Sequence, residues 1–245
     1  MKLTVLKDNL REAINAVERV VSDQSQLPIL KNILIVADQN KIKIVGTNLE
    51  IGITRYALGK IHEDGGITVP FHTFASIVHN CDSERMQLET EGTTLHVKTD
   101  NYHAKLQGIA RDEFPIIPAI ERTKESLQIA SGILKNAITE IITAAQISEI
   151  RPEISGILFD AQQSQIKIVA TDSFRLGEKT IHHTQFSTSF EKGFRVIIPL
   201  KTIQEIIRIF PDDKELSLFV DPHQILVKTN DIELISRLID GQYPD

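Results

Sequence analysis

The 245-residue sequence has no tryptophan, one cysteine (Cys81) and two methionines. A single cysteine excludes an internal disulfide and any zinc site built on cysteines, and it fits a reducing compartment. No apolar run approaches the roughly 20 residues that span a bilayer. The start, Met1 to Lys7, reads as a strand rather than the apolar core of a signal peptide. There is no G-x-G-x-x-G loop, no phosphate-cradling G-x-x-x-x-G-K and no H-E-x-x-H, so the common nucleotide and zinc-hydrolase signatures are missing. Basic excess is missing too: the formal charge is −6, which as a bare total argues against a polyanionic partner. What remains is a chain with 41% hydrophobic residues, enough for a real core and too many for disorder. A cytoplasmic globular protein is expected, of one large or two ordinary domains.

The chain repeats itself. Ile42-Lys43-Ile44-Val45-Gly46-Thr47-Asn48 recurs as Ile166-Lys167-Ile168-Val169-Ala170-Thr171-Asp172, an offset of 166 − 42 = 124. The same offset pairs Leu10, Ala13 and Ile14 with Leu134, Ala137 and Ile138, and Ile33-Leu34 with Ile157-Leu158. Further on, Val69-Pro70 pairs with Ile198-Pro199 and Phe114-Pro115 with Tyr243-Pro244; the slight drift fits insertions in surface loops. The expected domains are 1–115 and 127–245, joined by a linker over 116–126. The sequence stops at a repeat boundary, so either the subunit has two repeats or a longer chain was cut there.

Each repeat reads as α+β. Leu3 to Leu6 is a short strand, Asp8 can cap a helix, and Leu10, Ala13, Ile14, Val17 and Val21 share one helical face. Strands follow at Ile33–Ala37, Lys41–Gly46 and Ile51–Leu58, with turns at Gln39-Asn40 and Thr47-Asn48. Ile67–Pro70 leads into a second helix with Phe74, Ile77 and Val78 on its apolar face. Strands at Met86–Glu89, Thr94–Thr99 and His103–Ile109 complete the order βαβββ, twice over. Antiparallel sheets with helices on one face are the expected layers.

Candidate chemistry is sparse. His182-His183, as strand neighbours, point their rings to opposite faces and read as exposed histidines. Asp100 with His103 lacks a third ligand, and His79 with Cys81 lacks an orienting group, so neither a metal site nor a nucleophile pair is expected. Thr171-Asp172-Ser173-Phe174-Arg175-Leu176 stands where the first repeat has Thr47-Asn48-Leu49-Glu50-Ile51. Its Thr-Asp is turn-forming, and its divergent part is a candidate specialised surface. The helical segments carry six cations (Lys7, Arg11, Arg19, Lys135, Lys201, Arg208) against five carboxylates (Asp8, Glu12, Glu18, Glu140, Glu205). The acidity therefore lies outside the helices, and it is the charged face rather than the total that bears on a DNA partner.

Met1-Lys2-Leu3-Thr4-Val5, Leu27-Pro28-Ile29-Leu30, Gly46-Thr47-Asn48-Leu49-Glu50, Val69-Pro70, Phe114-Pro115, Ala170 to Leu176 and Leu238 to Asp245 together resemble the bacterial DNA polymerase III beta subunits, the sliding clamps. The resemblance covers the whole chain. It implies a DNA clamp fold in which sheets lie outside and helices line a ring of six repeats, closed head-to-tail by two three-repeat chains. This sequence would then hold the first two domains, with the third absent. A two-repeat subunit forming a trimeric ring, as in archaeal and eukaryotic clamps, is the alternative; a peptide-binding scaffold that never meets DNA is another. An enzyme using His79, Cys81 or His182 is disfavoured by the lack of any clustered constellation.

The resemblance implies a non-catalytic processivity factor of a DNA-directed DNA polymerase (a nucleotidyltransferase holoenzyme), with no cofactor, metal or membrane. Its partners would be double-stranded DNA, the polymerase catalytic subunit, the clamp loader and repair proteins, and the full-length chain would be a homodimer. Lys201 and Arg208 match inward-facing positions; Arg11, Arg19, His72 and Lys135 are added from the helix faces. Arg151 lies in a loop near other DNA contacts, and Gln24 stands where some members carry an arginine. A peptide groove is implied at Ile154, Thr171, Ser173, Phe174, Arg175, Leu176 and Pro244, partial without a third domain; Ser173 and Phe174 replace the Gly and His of some members. Lys98, His103, Ala104 and Leu106 match ring-closing positions on a strand, which would be left unpaired here.

Overall fold

The computed structural model describes residues 1–21, 27–120, 124–148 and 150–244. The chain divides into two compact units, Met1–Pro118 and Ala119–Asp245. The division falls inside 116–126, where Ile120 is buried rather than solvated.

The first unit runs β1 (Lys2–Leu6), α1 (Lys7–Val17), β2 (Asn32–Asp38), β3 (Lys41–Thr47), β4 (Ile51–Ala57), β5 (Gly59–Glu63), β6 (Gly65–Pro70), α2 (Phe71–Asn80), β7 (Arg85–Glu91), β8 (Thr94–Lys98), β9 (His103–Gln107) and β10 (Ile109–Ala110). It forms two antiparallel ladders, β5-β1-β7-β8-β9 and β10-β6-β2-β3-β4. The second unit repeats the plan with β11 (Leu127–Ala130), α3 (Ser131–Ile141), β12 (Gly156–Ala161), β13 (Gln165–Thr171), β14 (Leu176–His182), β15 (Phe186–Thr188), β16 (Phe194–Pro199), α4 (Leu200–Ile209), β17 (Glu215–Val220), β18 (Gln224–Lys228) and β19 (Ile232–Arg237). Its ladders are β15-β11-β17-β18-β19 and β14-β13-β12-β16. The 124-residue repeat is thus a repeat of topology.

Each unit has its helix pair packed together and against its ladders: α1 lies on α2, β3 and β4, and α3 on α4, β13 and β14. Leu10, Ala13, Ile14, Ala16 and Val17 of α1 and Leu134, Ala137, Ile138 and Ile141 of α3 are buried at helical spacing. Each large side chain so buried contributes about 1.5–3 kcal/mol.

The structure differs from the expected elements in four places. Asp8 does not cap α1: the chain passes straight from β1 into the helix at Lys7, and Asp8 lies in the first turn, where its charge favours the helix dipole. Gly59–Glu63 is an extra strand on the edge of the first ladder, so the order is βαββββ before the second half. The strand expected at His103–Ile109 breaks at Gly108, where an added Cβ would lie 2.5 Å from the Thr68 carbonyl oxygen. His182 ends β14 while His183 starts a short 3-10 turn, so the two do not share a strand.

Candidate peptide groove and helix faces

β13 ends at Thr171 and β14 begins at Leu176, its register partner. The turn between them is held by its own side chains. Thr171 Oγ1 donates to the Arg175 carbonyl (2.7 Å) and accepts from the Ser173 amide (3.1 Å). Asp172 Oδ1 accepts from the amides of Phe174 (3.0 Å) and Arg175 (2.9 Å), and its Oδ2 pairs with Arg175 Nε at 2.9 Å. These donors, the backbone amides first and then the guanidinium, hold the Asp172 carboxyl below its ordinary value. The pattern forces Ser173 to φ 75°. With the polar groups turned inward, the apolar ones point out: Phe174 is 96% exposed and Leu176 61%. Isolated exposed apolar residues need no explanation, but two on one hydrogen-bonded turn beside an arginine do.

Two further segments reach this turn. Arg151 donates from Nη1 to Ser173 Oγ (2.9 Å) and from Nε to Glu153 (3.0 Å), so it is bonded to the groove loop. Glu153 in turn is lowered from its ordinary value by its own amide and by Arg151. Ile154, in the 3-10 turn Pro152–Ile154, is buried at 4% exposure and offers almost no surface. The C-terminal segment arrives through Tyr243, which sequence reading missed. Its ring is buried in a cluster with Leu158, Val169 and Ile197, and its hydroxyl donates to the Gly156 carbonyl at 3.5 Å. Burial pushes the Tyr243 hydroxyl up from its ordinary value, against a hydrogen bond with the Thr171 backbone. Gly241 sits at φ 150°, with an added Cβ 3.1 Å from Glu153 Cβ. Pro244, which follows Tyr243, is half-buried. Thr171, Ser173, Phe174, Arg175 and Leu176 share this turn, and Pro244 follows the buried Tyr243; a cleft of about 440 Å³ is lined by Arg195, Pro222 and Leu238 to Tyr243, not by the turn residues.

The helix-face cations differ in availability. Lys135 donates to the Phe210 carbonyl (2.9 Å) and pairs with Asp212, tying α3 to the end of α4, so it is a tertiary strut rather than a free cation. Arg208 is bound to Glu205 at 2.6 Å and Arg11 to Asp8 at 3.1 Å. Arg19 and Lys201 are exposed, and neither has an ion-pair partner among the described residues. His72 is exposed, its ring edge-on to Phe71. Gln24 lies outside the described residues.

At the edge of the first ladder, His103 and Ala104 lie on β9, but Lys98 stands on β8 opposite His103, not on the edge itself. Leu106 is buried at 5% exposure in its own unit's core, so it presents no side chain to a neighbour. Lys98 and Lys2 both bond Glu89, at 2.9 and 3.2 Å, and these lysines hold its carboxyl at about 2. His103 stacks on His96, with ring nitrogens 3.2 Å apart. Among the described residues no group of three His, Cys, Asp or Glu is placed to hold a metal, and no helix is long and apolar enough to cross a membrane.

Doubled βαβββ-type units with helix pairs packed on antiparallel ladders define a DNA-clamp architecture. The family models agree: residues 1–118 match the DNA polymerase III beta subunit, N-terminal domain, and residues 128–245 its central domain. The chain belongs to the bacterial DNA polymerase III beta subunit family. Among curated relatives, the Beta sliding clamp of Bacillus subtilis is 30% identical over 255 residues, and that of Staphylococcus aureus 28%. Both alignments cover 100% of this chain, which spans 66% of each relative's length. Solved structures include the B. subtilis DNA polymerase sliding clamp (TM-score 0.92, 28% identity) and the Streptococcus pyogenes beta subunit (0.93, 25%), each covered to 66% by the whole of this chain. A third is the Helicobacter pylori beta clamp bound to a DNA ligase peptide (0.89, 25%), covered to 68%. These matches are to the bacterial type and overturn the alternative of a two-repeat clamp of archaeal or eukaryotic kind.

Proposed function

We propose that this chain works as part of a sliding clamp: a non-catalytic ring that surrounds duplex DNA and tethers polymerase, clamp loader and repair proteins through the Thr171–Leu176 groove. The observation that carries the reading is the outer surface of that turn. Its polar atoms are spent on holding the turn, so Phe174 and Leu176 face solvent beside Arg175, a surface suited to the apolar anchors of a linear peptide. The peptide-bound H. pylori clamp supports the same use of the fold. DNA contact is assigned to exposed Arg19 and Lys201 first; Arg11, Arg208 and Lys135 contribute less because carboxylates already neutralise them. Such sparse contact suits sliding, since topological linkage, not affinity, retains the DNA.

The groove is tested by fluorescence anisotropy with a labelled peptide ending in Leu-Phe. Arg175→Ala with Leu176→Ala is expected to weaken binding at least tenfold; unchanged affinity refutes the assignment. The DNA role is tested with the full-length parent chain loaded on circular DNA: retention lost on linearisation supports it, and retention unchanged refutes the topological mechanism.

A further inference from the structure

A second apolar surface lies in the first unit, where β1 turns into α1 and β4 turns into β5. Leu58 is 80% exposed and Leu6 48%, and they wall an open cleft of about 490 Å³. Exposed leucines on flexible loops are unremarkable, but here the backbone beneath them is fixed. Asn9 Nδ2 donates to the Leu58 carbonyl at 2.9 Å, and Thr4 Oγ1 meets His62 Nε2 at 3.1 Å across the floor. Gly59 packs so closely that an added Cβ would lie 2.8 Å from the Thr4 carbonyl oxygen. The leucines are thus held outward by a rigid corner.

The fold does not require this bulk. By the repeat offset and by its place at the strand–helix junction, Leu6 corresponds to Ala130, which ends β11 immediately before α3. The second unit makes the same corner with a methyl group where the first has an isobutyl group. The rim is one-signed as well: Lys60 and Arg85 line the cleft, no carboxylate does, and neither cation has an ion-pair partner among the described residues. In a chain of net charge −6, a cationic rim around two exposed leucines is a local exception.

We infer that this corner docks a short acidic peptide segment of a partner protein, seating an apolar side chain between Leu6 and Leu58 while flanking carboxylates meet Lys60 and Arg85. The walls favour an apolar anchor over a phosphate group, which would leave Leu58 in water. The register of β1 and β5 shifts between Lys2 and Leu3, leaving His62 bulged, so the outer edge of β5 is a poor template for strand addition and the side chains carry the contact. The site is independent of the Thr171–Leu176 groove and stands or falls without it.

The test uses the 245-residue chain with labelled Leu and Ile methyls, in the Arg175→Ala, Leu176→Ala background that removes the groove. The probe is the synthetic peptide Glu-Asp-Ser-Leu-Phe-Asp-Glu. Its expected effect is shifts of the Leu6 and Leu58 methyls. Affinity should fall at least tenfold in Leu58→Ser, a surface change that leaves folding intact, and likewise in Lys60→Glu, Arg85→Glu. A charge-reversed peptide, Lys-Lys-Ser-Leu-Phe-Lys-Lys, should bind only the doubly reversed variant. No shift at Leu6 and Leu58, equal binding of both peptides, or larger shifts with a 20-base-pair duplex than with the acidic peptide would each overturn the assignment.

Discussion

The turns Thr47–Ile51 and Thr171–Arg175 are the same object built twice. In the first, Thr47 Oγ1 donates to the Ile51 carbonyl (2.9 Å), and Asn48 Oδ1 accepts from the amides of Glu50 (3.0 Å) and Ile51 (2.8 Å). In the second, Thr171 and Asp172 make the matching bonds, and Leu49 and Ser173 share a φ of 75°. What differs is what hangs on the frame. Ile51 is buried at 4%, whereas Arg175, its counterpart, is exposed; Gly52, also buried, is matched by Leu176 at 61%. The frame belongs to the fold, and the side chains it turns outward in the second unit are free to serve binding. A repeated Thr-Asx is therefore a feature of the fold, and the proposed function rests on the divergence that follows it.

This contrast can be broken in graded ways. The largest effect is expected in the core-facing turn: Ile51→Ala should cost about 2–5 kcal/mol, while Arg175→Ala at the same frame position should stay within about 0.5 kcal/mol. Urea unfolding followed by circular dichroism distinguishes these, and equal costs would remove the distinction between the turns. Next, Thr47→Val and Thr171→Val should each cost about 1–3 kcal/mol, because each leaves the Leu49 or Ser173 amide without its acceptor and the Ile51 or Arg175 carbonyl with only the Asn48 or Asp172 amide. Unequal costs in the same unfolding assay would show that the frames are not equivalent. Third, Leu176→Ala alone should weaken the Leu-Phe peptide several-fold by anisotropy, with Leu49→Ala leaving it unchanged.

The smallest effect is acid sensitivity. Asp172 is held below its ordinary value, so its contribution is present at neutral pH and is lost as pH falls from the ordinary carboxylate range through the lowered one. Asn48 cannot titrate. Protection of the Phe174 and Arg175 amides from exchange, measured against the free-chain rate at each pH, should therefore fall in acid while that of Glu50 and Ile51 does not, and Asp172→Asn should abolish the difference.

The repeat offset carried much of the fold into view, because identities as well as hydrophobicity recur at 124 residues. Elements governed by edges did not show. β5 has Lys60, His62 and Glu63 exposed and only Ile61 half-buried, so no run of alternating apolar residues marks it. The turn was legible from Thr171 to Leu176, and Pro244 only through the resemblance; the anchor of the segment before it was not: Tyr243 bonds Gly156 and packs on Leu158, far away in sequence. For the same reason Lys135 looked like a free helix cation, although Asp212 neutralises it from the end of another helix. Spacing along one element shows which face a side chain takes, but not what another element brings to it.

Tyr243 also bears on the timing of recognition. Because its buried ring fixes the segment carrying Pro244 when the unit folds, the loss of chain freedom there belongs to folding and not to the encounter with a peptide. The Thr171 and Asp172 bonds do the same for the facing turn. On the proposed reading, an arriving segment would order only itself, so modest apolar contact would be enough for a useful but short-lived complex, and successive partners would exchange on one surface without remodelling it.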